Sequence, residues 1–356
     1  MNMNTSRLVA LLLSIAATAL PAQSSRERER EREREIERRA ERLSRTIERT
    51  VEASIDNAIK NVEQAFLYTD KHQQQGYDSR QSATRIDTTF AFSADGTVDL
   101  TSFNGDITVT GWNRKEARVK ASTERGTLRW RFSSTRISVE ADIYRGRTGE
   151  TDYEVMVPEG VRVVLRSMNG SLTVHGVKGS VDLHTNNGDV EVTDASGTIE
   201  LATLSGDATG SRLRGDVDAT SLNGTVQLTD VQGAIVKAES TSGDLELVNV
   251  VSPDVDATTV SGEVDFSGPL DPKGHYNFQS HSGSVTLTIP ATASARFSVE
   301  TFNGEVDSDF PFTLQPSRER RQGQRLEFNV GGGEARVTAE SFSGGITIRK
   351  ATTQRR

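Results

Sequence analysis

The sequence predicts an all-β fold, a single parallel β-solenoid (β-helix) of roughly 18–21-residue coils, preceded by an N-terminal amphipathic helix. Three observations lead there. A four-residue motif, Ser/Thr-x-Asn/Ser-Gly, recurs ten times, and from Gly170 to Gly224 its spacing is a strict 18 residues. After each glycine, apolar and polar residues alternate, the period of a strand with one face buried. Hydrophobic residues make up 34% of the chain, short of the roughly 45–50% of an ordinary globular domain, an average that also counts glycine, which suits a narrow core.

Residues 1–22 carry Arg7, the apolar run LVALLLSIAATAL and a small-residue end at Ala22. This is the pattern of a secretory signal peptide, and the run is too short for an ordinary membrane span. Residues 23–35 form a charged low-complexity arm, RERERERERE, whose alternation mixes like charges at i,i+4 with opposite charges at i,i+3. Over 36–70, Leu43, Ile47, Val51, Ile55, Ile59, Val62 and Phe66 recur at helical spacing with charged or polar residues between them, so a helix with one apolar stripe is expected. It either lies along the following domain or self-associates as a coiled coil. Residues 71–85 read as a linker, 86–350 as the solenoid and 351–356 as a tail.

The corner glycines of the solenoid are Gly105, Gly170, Gly188, Gly206, Gly224, Gly243, Gly262, Gly283, Gly304 and Gly344. A second turn glycine lies midway at Gly179, Gly197, Gly215 and Gly233, so each nine-residue unit is one turn plus one strand. Glycine provides the positive φ or the close approach a tight corner needs. Units this short bury an inner face only when stacked, at about 4.8 Å per coil. Counting by twos from Val181 and Leu183 puts Thr185 inward, with its hydroxyl in reach of a corner carbonyl. The same count turns Phe103, Met168, Leu204, Leu222, Val260, Phe302 and Phe342 outward as an interaction stripe, a binding surface or a seat for the N-terminal helix. Residues 126–157 alternate without the motif and read as an excursion or an initial cap, and 317–324 as an inserted loop.

The sequence offers little site chemistry. Cysteine is absent, which removes disulfides, thiolate zinc sites and a cysteine nucleophile. Residues 86–356 hold 27 basic and 37 acidic side chains, the wrong sign for a phosphate backbone, so no nucleic-acid partner is expected. The five histidines show no HExxH spacing, His175 and His184 fall on different faces, and no GxSxG elbow is present. The residue after the corner glycine is often acidic, and Asp189, Asp207, Asp244 and Glu263 are candidates for a hard cation such as calcium. The nine-residue period resembles calcium-binding nonapeptide repeats, but their GGxGxD pattern is missing, so a solvated acidic face with no metal and no cofactor is the reading.

The stretches SFNGDITVTGWNRKEARVKAS from 102, DYEVMVPEGVRVVLRSMNGSLTVHGVKGSVDLHTNNGDVEV from 152 and NVGGGEARVTAESFSGGITI from 329 resemble the bacterial putative-adhesin domain family. The resemblance covers roughly residues 86–350. It implies an exported β-solenoid in the periplasm, at the cell surface or secreted, with a binding or structural role in the envelope. Signal peptide, repeat and the lack of a singular catalytic cluster together favour a non-enzymatic adhesin-like module presenting an elongated face to a protein or glycan partner. A polysaccharide-acting β-helix enzyme and a periplasmic accessory or sensor protein working through the N-terminal helix are the alternatives. No membrane span is expected after signal cleavage, and self-association through 36–70 is open.

Overall fold

The structure, a computed structural model, describes residues 82–141, 149–311 and 324–351. The expected signal peptide, charged arm, amphipathic helix and most of the linker lie outside the described residues, as do nearly all of the 317–324 loop and the tail. Among the described residues there is no helix, hence none long and apolar enough to cross a membrane. Every described strand belongs to one of two sheets, the first of 14 strands and the second of 13.

The central coils follow directly from the repeat. Each contributes one strand to the first sheet, turns at the Ser/Thr-x-Asn/Ser-Gly corner, and contributes one strand to the second. Ile199–Ser205 pairs in parallel with Val217–Asn223, matching Ile199 to Val217 and Leu201 to Ala219. Ala208–Arg214 pairs in parallel with Val226–Gln232 in the second sheet. An 18-residue shift thus places equivalent residues one strand apart, and the inward Val, Leu, Ile and Ala side chains of both sheets form one continuous core. Burying one leucine of such a core stabilises it by about 1.5–3 kcal/mol.

Both ends depart from a simple parallel spiral. The coil of Thr97–Asn104 and Ile107–Trp112 is stacked between a later coil, Arg136–Ala141 and Thr151–Pro158, and the coil of Arg162–Asn169 and Leu172–His175. At the other end Ala335–Ser341 and Ile346–Lys350 enter the stack between the coil of His275–Ser280 and Val285–Ile289 and the coil of Ala295–Thr301 and Val306–Ser308. Chain order is therefore not stack order: Gly304 sits on Gly344, and Gly344 on Gly283. The motif-free stretch 126–157 is half excursion and half coil. Leu128–Phe132 is antiparallel to Arg136–Ala141, which together with Thr151–Pro158 completes a turn of the solenoid.

The fold is thus parallel in its body and antiparallel at three of its four sheet ends, the second sheet finishing at the far end on the parallel strand Val306–Ser308. Arg85–Ala91 and Glu116–Thr123 cap the second sheet, Ser82–Ala83 and Leu128–Phe132 cap the first, and Gln324–Val330 closes the first sheet at the far end. An exposed parallel edge is a template for further pairing, and these strands occupy three of the four. Aromatic rings close the core beneath them, Phe90 stacked on Phe132 at 4.9 Å and Phe297 on Phe328 at 5.2 Å.

Candidate functional site

The first corner is built from three ladders. Its inward Ser/Thr hydroxyls donate to the glycine carbonyl of the preceding coil: Thr185 to Gly170 at 3.0 Å, Thr203 to Gly188 at 2.9 Å, Ser221 to Gly206 at 2.9 Å and Thr259 to Gly243 at 3.0 Å. Asn187 donates to Asn169 and Asn169 to Asn104, each at 2.9 Å. The glycines are there for close approach. A Cβ on any of the ten would collide with a backbone carbonyl of the neighbouring coil, whereas only Gly105, Gly170, Gly188 and Gly206 have positive φ.

The acidic row takes part in the same corner. Asp189 Oδ1 accepts the backbone N–H of Asp207 at 2.9 Å, Asp207 that of Thr225 at 2.8 Å, and Asp244 that of Glu263 at 2.8 Å. These side chains bridge successive coils, a structural role that needs no cation. Among the described residues the group whose donor atoms do converge lies elsewhere, at Asp182, His184 and Glu200, all within 4.8 Å of one another.

That cluster sits on the outer face of the first sheet. His184 Nε2 is 2.6 Å from Asp182 Oδ1 and 3.6 Å from Glu200 Oε1. Burial pulls the Asp182 carboxyl upward, but the His184 hydrogen bond and the charges of His184, Arg166 and Arg162 outweigh it and leave it below the usual carboxylate range. Burial pushes Glu200 up, as it does Asp218 one strand further on. Arg166, 4.0 Å from Asp182 Oδ2, already supplies a fixed positive charge. One His and two carboxylates are suitable donors for a divalent ion, yet the cluster also closes as an ion-pair network without one. A signal for it was present in the sequence: Asp182 and His184 share a face at i,i+2, and Glu200 stands 18 residues after Asp182.

The stripe lies where parity put it. Met168, Leu204, Leu222, Val260, Phe302 and Phe342 are half-buried and Phe103 is 37% exposed. Stack order makes it a single line interrupted by Asn186, Thr241 and His281. Its end is aromatic, with His281 stacked on Phe342 at 4.9 Å and Phe342 on Phe302 at 5.0 Å.

The opposite corner, between the second sheet and the next strand of the first, holds a feature the sequence did not announce. Asp194, Arg212, Asp230 and Asn249 occupy one position in four successive coils, and all are left-handed, with φ of 53–56°. Non-glycine residues take this conformation at a cost of about 1–2 kcal/mol. Their side chains pair along the stack: Arg212 grips Asp194 with two hydrogen bonds of 2.6 and 2.9 Å, and Asn249 donates to Asp230 at 2.6 Å. The Arg212 hydrogen bond holds the Asp194 carboxyl below the usual range. These residues, with Lys178, Arg214, Gln232 and Val251, line a groove of about 600 Å³. Exposed Ile235, Val248 and Val251 belong to the same coils.

The Toastrack DUF4097 family pattern matches residues 171–349, the stretch that contains the regular coils. The chain belongs to this family. Solved structures similar to the Toastrack chain include a putative cell adhesion protein of Clostridium sporogenes (10% identity, 75% of this chain and 100% of that one, TM-score 0.22). A putative adhesin of Bacteroides fragilis is similar at 9% identity, over 75% of this chain and 97% of that one, with a TM-score of 0.38. A putative lipid binding protein of Parabacteroides distasonis is similar at 9% identity, over 76% and 98%, with a TM-score of 0.30. No curated protein matches the Toastrack chain.

Proposed function

We propose that the chain is a non-enzymatic, exported, adhesin-like β-solenoid that presents an elongated binding face in the cell envelope. The groove along the second corner carries this reading. Four coils each set one polar side chain into it at intervals of about 4.8 Å, the spacing of neighbouring strands, and the strained backbone at Asp194, Arg212, Asp230 and Asn249 is the kind of local cost that accumulates at functional sites. Such a line of groups suits an extended polymer of repeating units rather than a compact ligand. Lys178, Arg214 and Asn249 offer N–H donors to hydroxyls and carboxylates, Asp230 offers an acceptor, and Val251 offers apolar contact for the carbon faces of sugar rings. A glycan partner fits that mixture. Export rests on the signal-like residues 1–22.

The test is a panel of acidic and neutral glycans incubated with the purified protein, read both for retention and for shortened products. Retention without products is expected. Exchanging Arg214 and Asn249 together for Ala should weaken it roughly tenfold, as loss of a central contact pair does. Release of shortened chains would instead support the enzyme reading, and absence of retention on every glycan would remove the groove from consideration.

A further inference from the structure

One outward row of the first sheet is buried where an open sheet face would be wet, although Glu200 and Asp218 at its margin are exposed. His184, Ala202, Thr220, Glu239 and Thr258 occupy one outward position on five adjacent strands, paired in that order. Their exposures are 1%, 5%, 7%, 2% and 5%. Shading by neighbours within the sheet does not explain this, because outward residues of the second sheet in the same coils, Glu191, Gln227 and Asp265, are exposed. Polar partners satisfy only part of the face: His184, Glu239 and Thr258 meet Asp182, Lys237 and Asp256 through one side-chain atom each. Glu239 Oε2, His184 Nδ1, Asn186 Oδ1 and Thr241 Oγ1, all outward, are buried with no hydrogen-bond partner, the condition an apolar cover imposes on polar atoms beneath it. Every described strand lies in the two sheets themselves, so none lies over this face.

We propose that the cover is the chain's own segment Ile47–Phe66, with the stripe Ile47, Val51, Ile55, Ile59, Val62 and Phe66 laid across the outer face of the first sheet. Its length suits the role. As a helix the segment spans about 30 Å at 1.5 Å per residue, and the five buried positions span about 19 Å at the strand spacing. Its tether also suits it. The first described strand, Ser82–Ala83, is the edge of this same sheet, and residues 67–81 between them reach up to about 50 Å when extended. The internal stretches 142–148 and 312–323, DIYRGRT and FTLQPSRERRQG, carry no comparable apolar stripe. Covering this face also accounts for the half-burial of Leu204, Leu222 and Val260 at its margin.

The absence of cysteine allows a clean test in the full chain. Thr258→Cys reports on the covered face and Gln227→Cys, exposed on the second sheet, is the reference. With a thiol-reactive maleimide, Thr258→Cys should react roughly tenfold more slowly or slower still, limited by local opening. Adding Ile55→Asp and Ile59→Asp should bring it to the reference rate while the β-sheet circular dichroism and the Gln227→Cys rate stay unchanged. The milder Ile55→Ala and Ile59→Ala pair should give an intermediate rate. Reaction of Thr258→Cys at the reference rate in the otherwise natural chain would overturn the proposal, and so would protection that survives the charged pair. Protection lost on dilution, together with a dimer mass by light scattering, would assign the face to a second copy and overturn it as well.

Discussion

A corner glycine, an inward hydroxyl and an outward carboxylate each solve one problem of stacking backbone on backbone. The glycine admits the neighbouring coil's carbonyl, the hydroxyl satisfies it, and the carboxylate captures the next N–H. Replacing Thr203 by Val keeps the shape and removes the hydrogen bond to Gly188, so a loss of about 1–2 kcal/mol is expected in urea unfolding. Asp207→Ala should cost about 1 kcal/mol by freeing the N–H of Thr225, and Asp207→Asn, which keeps an acceptor, less. Millimolar calcium should leave the melting temperature unchanged, since these carboxylates bridge coils; a calcium-dependent rise would return the row to metal binding. The inward Thr185 and the outward Phe103 line were legible because each coil carries the same motif, and parity is counted within the coil from its corner glycine. The left-handed Arg212 was not, because arginine carries no local signature for that conformation.

At the level of the strand, the first sheet differs from the second in burying one outward row, His184 to Thr258, with Asp218 at its margin. Burial raises the Asp218 carboxyl, against the pull of Lys237. A carboxyl whose folded-state pKa is raised favours folding fully only below its unfolded pKa, and that contribution is lost as pH rises through the folded value. Asp218→Asn should therefore raise the melting temperature at pH 7 and have a smaller effect at pH 4, measured in matched buffers. If the substitution instead destabilises at pH 7 and does so less at pH 4, the Asp218–Lys237 attraction outweighs burial. Strand positions within the coils were readable from alternation alone. The burial of Glu239 was not, because an outward charged residue in an alternating strand reads as solvated until the whole face is seen.

For the molecule as a whole, the period makes a coil a removable part. Deleting residues 207–224 joins Gly206 to Thr225, which takes the equivalent place of Asp207, and should leave a folded protein with a slightly lower melting temperature. Deleting only 207–215 joins Gly206 to Asp216 and sends Val217–Asn223 toward the wrong sheet, so a folded product is not expected. Circular dichroism and chromatographic monodispersity distinguish the two. The solenoid and its corners could be read from spacing, whereas the order of the end coils could not, since every coil of a periodic stack offers its neighbours the same surfaces. That order has a mechanical meaning. The last strand, Ile346–Lys350, is held between Val285–Ile289 and Val306–Ser308, so a pull on the C-terminal end meets two ladders loaded in shear instead of one edge strand that unzips. Tension applied at that end is borne from inside the stack, as a strap is held when its free end is threaded back under its own loops.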